Sequence, residues 1–421
     1  MGAIRVWHDF NSAAFWAGMS TFIFMVFGAL TLQISVISQF HLPETQAQSW
    51  IVVTWLAASI ASLMFVLRYR QPLGIGWTIP GLVYMGSLAG RFTFEEFVGA
   101  NLVAGVAIVA CGVAGAGSRV IHLIPLPILM AMFAASIAGF IIGLVEASAH
   151  DAGIVGPMIA AYIVGRMLDN PRLPAVGLAV VIGGVLIVAL HRLGEAPVHA
   201  AAPALVFPGV RFALPAIMTV SIPMIVLVLG LGNTQGLGYL VAQGYRVPVD
   251  AVTAAVGVCT MVNALFGGHP AAMTRVSSAM LAGPTAGPWE RRYTAALVAF
   301  ALAGCVAFAT GLIVSLIAVL PPTYISAVAG LAIFASFEDA LGRAFGGSLR
   351  VGAAVAFSVT LSTFVVAGIP SAFWAIVAGL LASTALERRD LLAHWSKGLR
   401  AHTDDRARAL ATSAVPARAT R

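Results

Sequence analysis

The stretch Leu123–Val145 carries no charge for more than 20 positions and shows no alternation of apolar and polar residues. A helix rises 1.5 Å per residue, so a run of this length matches the ~30 Å hydrocarbon core of a bilayer. A strand of an outer-membrane barrel would alternate instead. Comparable runs recur between Asn11 and Leu386, which restricts the chain to a bundle of helices embedded in lipid. Composition agrees: of 421 residues, 60% are apolar and 9% charged, against about 25% charged in soluble domains. Soluble enzymes, disordered chains, collagens and coiled coils are excluded.

Roughly 20 apolar residues per crossing place spans near 13–38, 49–67, 77–89, 96–115, 123–145, 153–168, 175–191, 212–232, 249–266, 270–282, 293–314, 322–342, 350–368 and 371–386. The third and tenth are too short to cross alone. The first apolar run, Ala13–Val36, is too long for a signal peptide and lacks a small-residue cleavage site. Cytoplasmic loops hold the excess Lys and Arg. With fourteen reversals and a cytoplasmic N-terminus, 19 of the 23 basic residues fall inside. Only Arg91, Arg192 and Arg211 fall outside, and Arg275 lies within a span. A thirteen-span reading scrambles that split. The expected setting is therefore an inner membrane with both termini cytoplasmic. Residues 387–421 form a basic tail with eight basic and four acidic residues, expected to hold a short amphipathic piece at Leu391–Leu399. Despite the formal charge of +7, no basic stripe interleaves with aromatics, which argues against a nucleic-acid partner.

Two Gly/Pro-broken segments recur. Gly74–Gly81 leads into a short apolar run ending at Gly90, and Gly267-Gly268-His269-Pro270 leads into Ala271–Leu281 before Gly283-Pro284. Prolines then open a long helix in each half. Pro80 and Pro127 are 47 residues apart, and Pro270 and Pro322 are 52 apart. These are spans three and five, then ten and twelve. An offset of seven is odd, so the halves, 11–192 and 212–386, lie inverted in the membrane. Transporters built this way bind substrate between interrupted helices. The N–H groups of a helix's first turn have no intrahelical partner. At the midplane they need a cavity or a polar ligand, and two such starts favour an anion.

Arg70-Gln71-Pro72 followed by Gly76-Trp77-Thr78-Ile79-Pro80-Gly81 resembles the R-x-P…A-W-S-T-P-G segment of the benzoate:proton symporter (BenE-type) family. Phe266-Gly267-Gly268-His269-Pro270 resembles its F-G-A-H-A segment, and Gly244-Tyr245-Arg246-Val247-Pro248 its G-Y-R-P-P. With Ser371-Ala372-Phe373-Trp374, the resemblance spans about residues 14–386. It departs at Thr274-Arg275, where small residues are expected. The resemblance implies a fold shared with nucleobase:cation symporters and SulP anion transporters. That fold is a seven-plus-seven inverted repeat, with spans 1–4 and 8–11 as core, spans 5–7 and 12–14 as gate, and a short strand before half-helices 3 and 10. It also implies proton-coupled uptake of an aromatic carboxylate and a homodimer.

Candidate substrate contacts follow from the broken helices. In the first half they are the Thr78 hydroxyl and the Gly81 N–H, and in the second His269 and the Ala271 N–H. Arg275 is an intramembrane charge, functional by default. Asn233 and Gln235 of span eight carry amides where related nucleobase carriers carry an acid. Gln33 and Phe27 of the first span complete the set. A coupled proton needs a titratable group, and the candidates are His269, Glu338, Asp339 and the substrate carboxylate itself. Glu338 and Asp339 also lie five and four residues before Arg343, as a cytoplasmic-edge ion pair would. No catalytic triad, Walker sequence or metal cluster is discernible, and Cys111, Cys259 and Cys305 stand alone in apolar segments. The expectation is an all-α polytopic transporter, without cofactor or metal, importing an aromatic carboxylate with a proton. The alternatives are a SulP-like carrier of inorganic or small aliphatic anions and, in another class, a membrane enzyme or passive channel.

Overall fold

Backbone polar groups in lipid need internal partners, which leaves helices as the default and makes every interruption informative. The computed structural model describes residues 8–115, 125–168, 170, 174–195, 202–362 and 364–396. The start of the expected fifth span and most of the tail lie outside them. Among the described residues the first half comprises α1 (Ser12–Gln39), α2 (Glu44–Tyr69), β1 (Ile75–Trp77), α3 (Ile79–Ser87), α4 (Phe94–Val113), α5 (Leu126–His150), α6 (Ala152–Leu168) and α7 (Ala175–Ala189). The second comprises α8 (Leu214–Ala242), α9 (Val249–Leu265), β2 (Ala271–Met273), α10 (Arg275–Ala282), α11 (Trp289–Leu316), α12 (Pro322–Phe345), α13 (Arg350–Leu361) and α14 (Ser371–Leu386). Seven of these helices are long and apolar enough to cross a bilayer.

The two halves meet at the strands. β1 and β2 pair antiparallel, Ile75 with Met273, Gly76 with Ala272 and Trp77 with Ala271. Residues 75–79 and 271–275 run in the same order: strand, threonine, first helical residue. Under that correspondence Gly76 is equivalent to Ala272 and is also its register partner. The pseudo-two-fold axis of the inverted repeat therefore passes between them. Each half-helix start lies 47 residues before the first long helix of the gate in its half, Ile79 before Leu126 of α5 and Arg275 before Pro322 of α12.

Side chains satisfy the outer strand edges. Ser62 of α2 accepts from the Ile75 N–H (2.9 Å) and donates to its carbonyl (3.0 Å). Thr260 of α9, the repeat mate of α2, accepts from the Ala271 N–H (3.1 Å). α1 and α8 correspond as well. Each contains a π-helical stretch, Met25–Leu30 and Leu227–Asn233; such stretches often mark functional sites.

Packing divides the bundle in two. α4 packs on α9, and α11 on α1 and α2, forming the core. α5 packs on α12 and α13, α13 on α14, and α6 on α7, forming the gate. The seam is closed by α3 against α5 and by the end of α1 against α12.

Three expectations shift. Pro270 does not open a helix: it precedes β2, and α10 starts at Arg275 because Thr274 supplies the cap. The thirteenth helix stops at Leu361 rather than running to 368. Beyond it a hairpin pairs Val366 with Ile369 around Ala367 and Gly368, both with positive φ. The amphipathic piece begins earlier, as a helix at 388–396, and the remainder of the Leu391–Leu399 stretch is not among the described residues.

Candidate functional site

A cavity of about 310 Å³ opens between the starts of α3 and α10 and the facing surface of the gate. Its core wall carries Thr78, Ile79 and Pro80 from the first half and Thr274, Arg275 and Val276 from the second, with Leu231, Gly232 and Gln235 of α8 beside them. Across the seam are Met130 and Phe133 of α5, then Ala335, Ser336, Asp339, Ala340 and Arg343 of α12. Thr78, Gln235, Arg275 and Asp339 are thus the expected residues brought together.

Local structure explains the polar wall. Thr78 takes extended backbone at the α3 N-cap, and its Oγ1 accepts from the Gly81 N–H (3.1 Å). Acceptance leaves the hydroxyl proton free to donate. Thr274 repeats the device, its Oγ1 accepting from the Ser277 N–H (3.3 Å). Arg275 follows at the first helical residue, exposed to the cavity. Among the described residues it makes no ion pair or hydrogen bond. A cation here faces the unfavourable end of the helix dipole, an arrangement suited to an anion at the same end. Asp339 and Arg343, one turn apart on α12, pair at 2.8 Å at the cavity's edge.

α8 reaches the strands through glycine. A Cβ on Gly232 would come 2.7 Å from Ala272 Cβ and 3.0 Å from the Met273 carbonyl oxygen, closer than side chains pack. The π stretch ends at Asn233, whose Oδ1 accepts from the Met273 N–H (3.1 Å). Asn233 therefore holds β2 behind the cavity and does not line it, whereas Gln235 does.

The other expected contacts sit elsewhere. The Gly81 N–H is taken by Thr78, and a Cβ there would collide with Thr78 Cγ2 and Met224 Sδ. The Ala271 N–H is likewise taken, by Thr260. His269 is fully buried: its Nδ1 accepts from Trp50 Nε1–H (2.9 Å), and Asn263 Nδ2 donates to its carbonyl (2.9 Å). That geometry places the ring proton on Nε2. His269 leaves the cavity because the helix start moves to Arg275, which leaves His269 ahead of β2 and against α2. Gln33 accepts from Trp55 Nε1–H (3.0 Å), and Trp55 packs on Trp77 at 4.7 Å. Phe27 packs beside Gly177 of α7. Glu338 pairs outside the cavity with Arg166 of α6 (3.3 Å), not with Arg343. Met130 and Phe133 were missed: within an unbroken apolar run nothing separates a cavity-facing side chain from a packed one.

A second cavity, about 540 Å³, lies at the opposite end of the same seam. Ser35 and Gln39 of α1, Ser87 of α3, Ser136 and Phe140 of α5 and Ser326 of α12 line it.

Two half-helices joined by antiparallel strands within a core, facing a separate gate across a cavity, define a multi-pass membrane transporter. The chain belongs to the family described as benzoate membrane transport protein (BenE), which it matches over residues 8–385. It is similar to the inner membrane protein YdcO of Escherichia coli (strain K12), 28% identical over 386 residues, 90% of this chain and 92% of the relative. A benzoate membrane transport protein of Acinetobacter baylyi is 25% identical over 382 residues, 89% of this chain and 95% of the relative. The fold is shared with the transmembrane domain of the cyanobacterial bicarbonate transporter BicA, at TM-score 0.53 and 16% identity over 91% of this chain and 97% of that one. It is also shared with the murine anion transporter Slc26a9 in its inward-facing state, at TM-score 0.54 and 15% identity over 91% and 69%.

Proposed function

We propose that the protein imports an aromatic carboxylate of the benzoate class together with a proton, across an inner membrane with both termini cytoplasmic. Arg275 carries this reading. It is a guanidinium without an ion-pair partner among the described residues, and it faces a cavity whose far wall is apolar on α5, with Asp339 and Arg343 of α12 paired to each other at its edge. A cation facing a cavity attracts a counter-charge, and a carboxylate matches the guanidinium fork in a bidentate pair. The Thr78 hydroxyl donates to the same carboxylate, and both half-helix starts add favourable dipole ends. An inorganic anion would satisfy Arg275 equally but would press its hydrated faces against Met130 and Phe133, at a desolvation cost. An aromatic ring has no such penalty there.

Of the titratable candidates, Asp339 shares the cavity with the substrate, while His269 is enclosed behind the strands and Glu338 faces away. We assign the coupled proton to Asp339. The test is uptake of radiolabelled benzoate into proteoliposomes, compared with protein-free vesicles, with and without an inward proton gradient. Gradient-driven accumulation, competed by aromatic carboxylates but not by sulfate or bicarbonate, is the expected result. Absence of protein-dependent uptake overturns the substrate assignment, and gradient-independent uptake overturns the coupling.

A further inference from the structure

The cavity is chemically two-sided, and the sides belong to different bodies. The carboxylate-binding groups, Thr78, Gln235 and Arg275, stand on the core. The apolar face is on the gate helix α5, where Met130 and Phe133 lie three residues apart and so share one helical face. Both side chains line the cavity while only 1% and 2% exposed. Packing therefore fixes their orientation, and the small edges that border the cavity are preformed. A ring and a thioether are the side chains that best receive an aromatic edge or face. The cavity volume of about 310 Å³ sits at the small end of the ~300–1,000 Å³ range of small-molecule pockets. A carboxylate held at Arg275 thus leaves room for one ring directed at α5.

We infer that Phe133, supported by Met130, selects aromatic over small aliphatic carboxylates by receiving the substrate ring from the gate side. The assignment rests on the aromatic-carboxylate reading above and adds the residue that enforces it. Propionate, anchored by the same carboxylate contacts, has no ring for Phe133 to receive and gains no aromatic contact from it.

The test uses the full-length protein in proteoliposomes and reads the ratio of kcat/KM for benzoate to that for propionate. Phe133→Leu keeps most of the volume and removes the ring, and Phe133→Met provides a second ring-free variant should the first prove unstable. An aromatic pair adds interaction beyond simple burial, so loss of the ring lowers the benzoate-to-propionate ratio about threefold to tenfold, mainly through KM for benzoate. An unchanged ratio in a folded variant, or an equal fall for both acids, assigns Phe133 a packing role and overturns the inference. Absence of benzoate uptake by the unaltered protein overturns the transport reading instead, so the two failures are distinguishable.

Discussion

Arg275 occupies a helix start that disfavours cations, faces a cavity and makes no ion pair among the described residues, the cavity's Asp339 being paired with Arg343. Replacing it with Gln removes a charge-assisted, bidentate contact of about 1.5–3 kcal/mol. Initial benzoate uptake is expected to fall roughly tenfold to a hundredfold, and Arg275→Lys to recover part of it, since an ammonium keeps the charge but not the fork. Unchanged affinity in Arg275→Gln removes the residue from the site. Asp339→Asn keeps a hydrogen-bonding partner for Arg343 but cannot take up a proton. Its expected signature is uptake that no longer responds to an imposed proton gradient, while benzoate counterflow persists. If the response survives, the proton travels on the substrate's own carboxylate. Single residues differed in how clearly the sequence marked them. Arg275 stood out as a charge in an apolar run and Thr78 as a hydroxyl before a helix-starting proline. His269 was misplaced because Pro270 imitates a helix start, whereas the cap belongs to Thr274. Phe133 was invisible, being one apolar residue among many.

Elements inside a membrane persist when each interruption finds partners, and here the partners come from repeat-related helices. Ser62 and Thr260 hold the outer edges of β1 and β2. Ser62→Ala leaves the Ile75 N–H and carbonyl buried without that partner, at about 1–3 kcal/mol, and is expected to lower the melting temperature in detergent more than Ser38→Ala, whose hydroxyl bonds within its own helix. At the membrane edge, Glu387 plays a capping role between helices. Its carboxylate accepts from the Val351 N–H (2.8 Å), the Gly352 N–H (3.0 Å) and the Ser383 hydroxyl (3.0 Å). Burial pushes its pKa up, but these hydrogen bonds outweigh that and hold the carboxyl below its ordinary range. A lowered folded-state pKa means that the stabilisation is present above the unfolded carboxylate range and is lost as pH falls through the lowered value. Glu387→Gln is therefore expected to cost about 1 kcal/mol at neutral pH and nothing once the native carboxyl is protonated, so thermal melts of the two proteins converge on acidification. The helices themselves could be read from span length and charge. The strands could not be read from three-residue segments of ordinary composition; the family resemblance alone implied them.

At the scale of the molecule, the pairing of Gly76 with its own repeat mate Ala272 places the two-fold axis at the centre of the core, and the gate passes both cavities. α12 carries one marker for each: Ser326 lines the second cavity and Ser336 the first. Ten residues of helix separate them, about 15 Å along the axis, so the barrier between the cavities is short. Under the proposed transport reading, a displacement of core against gate that closes one opens the other. In the proposed orientation, with both termini cytoplasmic, Ser336, near Asp339 and Arg343, lies on the cytoplasmic side and Ser326 on the opposite side. Ser336→Cys and Ser326→Cys, each made without the native cysteines, are therefore expected to react with a membrane-impermeant thiol reagent from opposite faces of an oriented vesicle. If benzoate is carried by alternating exposure, its binding redistributes the two orientations and is expected to raise the labelling rate of one and lower that of the other. Labelling of both from one face describes a single continuous vestibule, and labelling insensitive to benzoate describes cavities that do not exchange. Either result rules out transport by alternating exposure of the Arg275 site. The opposed response supports it, because one substrate then biases two openings that share a single rigid helix.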